Sequence, residues 1–126
     1  MKIIFLYIEI EHILKEMIKI AYDVSDECKN FYRIDNLKCF FKINLIDLNK
    51  IKNFKSINEI RLVNNRLKHN SGEINQEISE IFEFKNCKEF TQSNLNSFYS
   101  RVHLNVKPFF SDLVKTIIEQ KNFKNE

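Results

Sequence analysis

One glycine and one proline in 126 residues exclude more than any other feature of this chain. Strand-and-turn folds place those two residues at their corners, so a chain nearly without them is predicted to be all-α, with long helices and few loops. Cysteine is sparse as well: Cys28, Cys39 and Cys87 form no CxxC pair. That excludes the ligand spacing of a structural zinc site and fits reduced thiols in a cytoplasm, each packed as a small core hydrophobe. Long apolar runs are missing too. The opening run 3–8 is apolar, but Glu9 and Glu11 interrupt it and no small-residue cleavage site follows. No other stretch approaches a membrane span. A soluble cytoplasmic protein without a membrane partner is expected, and with no motif for ATP, flavin or metal in view, no cofactor is expected.

The residues that are present make a globular chain. At 44% hydrophobic and 29% charged the composition is too apolar for disorder, and the length suits one domain over 1–126 with a real core. The net charge of +3 and pI near 8.7 are too mild for a DNA-coating protein. They leave room for local recognition of an RNA phosphate.

Hydrophobic periodicity divides the chain into a bundle of four to five helices. Ile3, Leu6, Ile10, Leu14, Met17, Ile18, Val24 and Cys28 predict a first helix over 2–30, with Ile4, Phe5 and Ile8 widening its stripe enough to meet two neighbours in the bundle or a second copy. His12, among Glu9, Glu11 and Glu16, reads as an exposed side chain. Asp35-Asn36 cap a second helix over 36–51, with Leu37, Phe40, Phe41, Leu45, Leu48 and Ile51 inward. Residues 73–84 are the most acidic piece, a short helix that loosens into an extended segment near Cys87 and is placed to fold back over the basic helix before it. Thr91 or Ser93 starts the last helix. Pro108 removes one of its backbone bonds, predicting a kink near 104–108 or a break with Pro108 in the first turn of a new helix. His103 reads as a surface or core-edge histidine rather than a catalyst, and a tail from about residue 120 is expected to fray.

Between these lies the stretch that carries chemistry. Ser56 followed by Glu59 reads as a capping box, and Asn70-Ser71-Gly72 as a stop, so a helix is predicted over 57–70. At about 100° per residue, Arg61, Asn65 and His69 fall on one stripe at i, i+4 and i+8, with Asn64 and Lys68 beside it and Arg66 at its boundary. Ile60, Val63 and Leu67 point the other way. A polar face is ordinary for a surface helix, but this one has no acidic residue between Arg61 and His69 to lace its charges into pairs. A guanidinium offers a planar fork to phosphate, an ammonium a point charge, and an imidazole is the side-chain type that exchanges a proton near neutral pH.

The run Glu59-Ile-Arg-Leu-Val-Asn-Asn-Arg-Leu-Lys-His69-Asn-Ser-Gly72 resembles the signature helix of the HEPN superfamily, small helical bundles whose active members carry an Arg, a polar residue and, four to six residues after the Arg, a His. With His69 on the family histidine, Asn65 takes the polar position and Asn64 stands where the arginine belongs. Arg61 lies one turn upstream, and Arg66 follows Asn65. The resemblance implies a single-domain bundle acting as a homodimer with the two motifs facing each other. It also implies metal-independent endoribonuclease chemistry, leaving a 2′,3′-cyclic phosphate and a 5′-hydroxyl, in a toxin or phage-defence effector with an antitoxin or defence partner. His69 would be the general acid or base, Arg61 the stabiliser of phosphorane charge, and Asn65 an orienting group, with Asn64, Arg66 and Lys68 binding substrate. Two alternatives stay open: a non-catalytic HEPN-like module that binds RNA, a nucleotide or a partner protein, and a structural helical subunit of a defence or regulatory assembly.

Overall fold

The computed structural model describes residues 2–23, 33–69 and 72–124. Among them five helices of ten residues or more build an all-α bundle: α1 (Lys2–Tyr22), α2 (Ile34–Ile43), α3 (Phe54–His69), α5 (Gln92–Val102) and α6 (Val106–Lys124), with a single-turn α4 (Gln76–Ser79) between α3 and α5. The described residues contain no strand, only an antiparallel bridge between Glu73 and Glu89. None of their helices is long and apolar enough to cross a membrane.

α3 is the centre of the bundle, packing against α1, α4, α5, α6 and the 3₁₀ turn Leu48–Lys50. Its inner face carries Ile57, Ile60 and Val63 into a core where Phe41, Phe84, Phe98 and Phe109 are all but fully buried. α1 contributes Ile3, Ile10, Leu14 and Ile18, a stripe at helical spacing that buries one face and leaves Glu9, His12 and Glu16 outside.

Several boundaries differ from the sequence expectation for local reasons. α1 stops at Tyr22, where Asp23 takes a left-handed φ of 51°. The expected continuation through Val24 and Cys28 lies outside the described residues, as do Asn70 and Ser71 of the expected stop. The second helix ends at Ile43 rather than residue 51. Leu45 turns left-handed at φ 66° and is exposed rather than inward, while Leu48 and Ile51 still reach the core from a 3₁₀ turn that Asp47 caps by accepting from Asn49 N–H. Cys39 is exposed and Cys87 half-buried, so neither is the core hydrophobe expected. Phe5 and Ile8 are exposed, with no second neighbour covering them among the described residues.

The break at the proline falls between helices. α5 opens on a capping box of Thr91 and Asn94, ends at Val102, and passes through a 3₁₀ turn, His103–Asn105, into α6. Pro108 sits in the first turn of α6, where its missing N–H costs no helical bond. His103 is exposed and stacks on Tyr99 at 4.8 Å. α6 extends through Lys124.

Candidate functional site on the outer face of α3

α3 begins two residues before the expected cap. Asn53, left-handed at φ 63°, turns the chain so that its carbonyl accepts from Ser56 N–H at 3.0 Å, and Phe54 drops into the core 6.3 Å from the Phe109 ring. Phe54 is therefore the first helical residue. The expected capping box does not form, because Ser56 and Glu59 both point inward. The Ser56 hydroxyl accepts from Asn105 Nδ2 at 2.9 Å. The Glu59 carboxylate meets Arg101 Nη1 at 3.1 Å.

Arg101 is the residue that sequence reasoning missed. Its fork also takes both oxygens of Glu83, at 2.6 and 2.9 Å, so one guanidinium on α5 ties α3 to the 3₁₀ turn Phe82–Phe84. Burial pushes the Glu83 carboxyl up, but hydrogen bonds and charge from Arg101 more than reverse this and hold it below its ordinary value. No local pattern announces a triad whose members are 18 and 42 residues apart.

With that inner face fixed, the outer face presents Asn58, Arg61, Asn65 and His69. The Asn58 carboxamide oxygen accepts from Arg61 Nε at 3.0 Å and Nη2 at 2.9 Å, setting the direction of the guanidinium while leaving Nη1 free of both bonds. Arg61 also borders a small enclosed space of about 20 Å³ that it shares with Tyr7 and Glu11 of α1, room for a single water. Burial first, and the Glu11 charge second, push the Tyr7 hydroxyl up to about 12, with Arg61 pulling the other way.

Arg61, Asn65, Arg66 and His69 line one open hollow of about 230 Å³, closed on its far side by Asn75, Glu77 and Ile78. The acidic segment thus does fold back beside the basic helix. Ile78 anchors it in the core, the Asn75 side chain caps α4 by accepting from Ile78 N–H at 2.9 Å, and Arg66 Nε donates to the Glu73 carbonyl at 2.8 Å. A clasp of Phe90 N–H on the Gly72 carbonyl and Ile74 N–H on that of Lys88 holds the base of this arm.

Two of the expected substrate-binding residues lie elsewhere. Asn64 is 1% exposed, because it follows Ile57 and Ile60 by seven and four residues and shares their inward face. Its Oδ1 has no partner, and its Nδ2 makes one long contact of 3.5 Å with Asn65. Lys68 is exposed and is not part of the lining. Among the described residues, no group of three or more His, Cys, Asp or Glu side chains is placed to hold a metal ion. The hollow offers an anion two guanidiniums, the carboxamides of Asn65 and Asn75 and an accessible imidazole, with one carboxylate, Glu77, at the rim. No protein-family model, curated protein or solved structure matches the chain, so this geometry is what a functional reading has to rest on.

Proposed function

We propose that the outer face of α3 binds an RNA phosphate and cleaves the strand beside it without a metal. The observation that carries this reading is the sharing of one open hollow by Arg61, Asn65, Arg66 and His69. Arg61 and His69 are eight residues apart, or roughly 12 Å along the axis, so one scissile phosphate lies between them, within reach of both side chains. In this reading the phosphate sits against Arg61, which Asn58 orients in advance. The ribose 2′-hydroxyl attacks the adjacent phosphorus and its proton goes to His69 acting as general base. The 5′-oxygen of the next nucleotide leaves and takes a proton from solvent, and Arg61 and Arg66 offset the charge that builds on the phosphorane. The products are a 2′,3′-cyclic phosphate and a 5′-hydroxyl, the outcome that the HEPN resemblance implies. A toxin or defence role, with an antitoxin or other partner, belongs to the same reading.

One observation favours a second reading. The position of the family arginine holds Asn64, which is buried, so the phosphate meets a different set of cations from the family's. A module that binds RNA through Arg61 and Arg66 without cutting it needs no more than the hollow supplies.

Labelled RNA incubated with EDTA and wild type, Arg61→Ala or His69→Ala separates the two. Cleavage that resists EDTA and falls at least 100-fold in both variants supports the nuclease. Binding without cleavage, weakened by Arg61→Ala and indifferent to His69→Ala, supports the module. If pure wild type neither binds nor cuts, both readings fall and the structural-subunit alternative stands.

A further inference from the structure

α1 and α6 run side by side in the same direction, with an apolar groove between them. Near their starts, Ile10 and Ile13 face Val106 and Phe110 across a hollow of about 430 Å³. Near their ends, Met17 and Ile20 face Val114 and Ile118 across a second of about 300 Å³. Lys121 Nζ donates to the Ala21 carbonyl and lies 4.9 Å over the Tyr22 ring, pinning the pair where the groove closes. Ile20 is 82% exposed and Ile118 52%; each lies one helical turn from another groove residue, Met17 and Val114.

The two rims carry opposite charge. Glu9 and Glu16 stand along the outer edge of α1, and Lys107 along that of α6. Glu9 and Lys107 border the same hollow yet form no ion pair with any described residue.

We propose that this groove is the interface between two copies of the chain, related by a two-fold axis parallel to α1 and α6. Such an axis lays α1 of one copy on α6 of the other at equal height. Glu9 then meets the partner's Lys107, and the reciprocal pair forms by symmetry. Ile20 and Ile118 are covered in the same step. An axis across the helices would instead set α1 on α1, acid against acid. The size is sufficient: two helices about 10 Å wide and nearly 30 Å long present a footprint of roughly 500–600 Å² in projection. Side-chain relief brings that toward the ~800 Å² per partner of a stable dimer.

This interface is independent of the α3 hollow, whose lining includes no residue of α1 or α6; Arg61 approaches α1 on another side, at Tyr7 and Glu11. It leaves both hollows open instead of joining them face to face.

Sedimentation velocity of the full chain up to about 100 µM, where a micromolar dimer is nearly all assembled, tests the proposal. Wild type should sediment at twice the chain mass and Ile118→Glu at the chain mass, with helical circular dichroism unchanged because Ile118 is outside the core. Glu9→Lys and Lys107→Glu should each weaken the dimer about tenfold or more, and the two exchanges together should restore it. A monomeric wild type, a dimer indifferent to Ile118→Glu, or charge exchanges that fail to rescue each other would overturn it. So would a dimer lost on Arg61→Ala but not on Ile118→Glu, which would put the contact at the α3 hollow.

Discussion

Replacing Arg101 by methionine keeps most of the side-chain stem and removes the charge that neutralises two inward carboxylates. The Glu83 side chain is 6% exposed, that of Glu59 10%, and that of Arg101 36%. Taking one partner from a fully buried ion pair costs ~3–5 kcal/mol. Because Arg101 is partly open to water, which screens what remains, the expected loss is smaller, ~2–3 kcal/mol. Against a total stability of ~5–15 kcal/mol that is a large fraction, and with a urea slope of ~1–3 kcal/mol/M it lowers the unfolding midpoint by about 0.7–3 M. The loss must also depend on pH. The folded chain holds the Glu83 carboxyl below its ordinary value near 4.5, so at acid pH the unfolded chain binds that proton more readily. The contribution of the pair is complete above the ordinary value and disappears as pH falls through the lowered one. Urea titrations of wild type and Arg101→Met at neutral pH and again at about pH 3 check both parts. A difference below ~0.5 kcal/mol at neutral pH, or one that does not shrink on acidification, would mean that solvent and not Arg101 compensates these carboxylates.

Four further outcomes follow from the packing. The Tyr7 hydroxyl, raised to about 12 by burial and Glu11, contributes stability that is complete below the ordinary value of 10.0 and is lost as pH climbs through 12. The advantage of wild type over Tyr7→Phe should therefore shrink in alkali, and an absorbance titration should lose its last-titrating phenol in the variant. Asn64→Leu removes an unpaired buried carbonyl oxygen and should raise stability by about 1 kcal/mol. Asn64→Arg, which restores the arginine of the resembled motif, should cost more than ~2 kcal/mol in a site this buried, and a variant as stable as wild type in urea would contradict the inward placement. Thr91→Ala removes the side-chain cap of α5 and should cost about 1 kcal/mol, read as a lower thermal midpoint.

The sequence disclosed the bundle because its signals are local. The period of α1 and α6, the Thr91 cap and the helix break just before Pro108 each depend on a few neighbouring residues, and the scarcity of glycine and proline is read from composition alone. Arg61, Asn65 and His69 sharing a face was equally legible, since helical geometry alone sets it. What the sequence did not disclose depends on distant partners. Ser56-x-x-Glu59 has the form of a capping box, and only Asn105 and Arg101, far along the chain, draw both side chains inward. Asn64 looked polar by type, yet its register with Ile57 and Ile60 places it inside. The left-handed turns at Leu45 and Asn53 fall on residues other than glycine, so they carry no mark that pattern reading can use.

The parallel pairing of α1 with α6 has a consequence for how the chain matures. The Ala21 carbonyl waits for a lysine 100 residues later, and the first helix emerges from synthesis long before that partner exists. Until residues 106–124 are made, the α1 side chains that line the groove with α6 lack that cover, so the nascent chain passes through a stage with an unfinished, sticky flank. Chaperone capture or misassembly of truncated products should concentrate there.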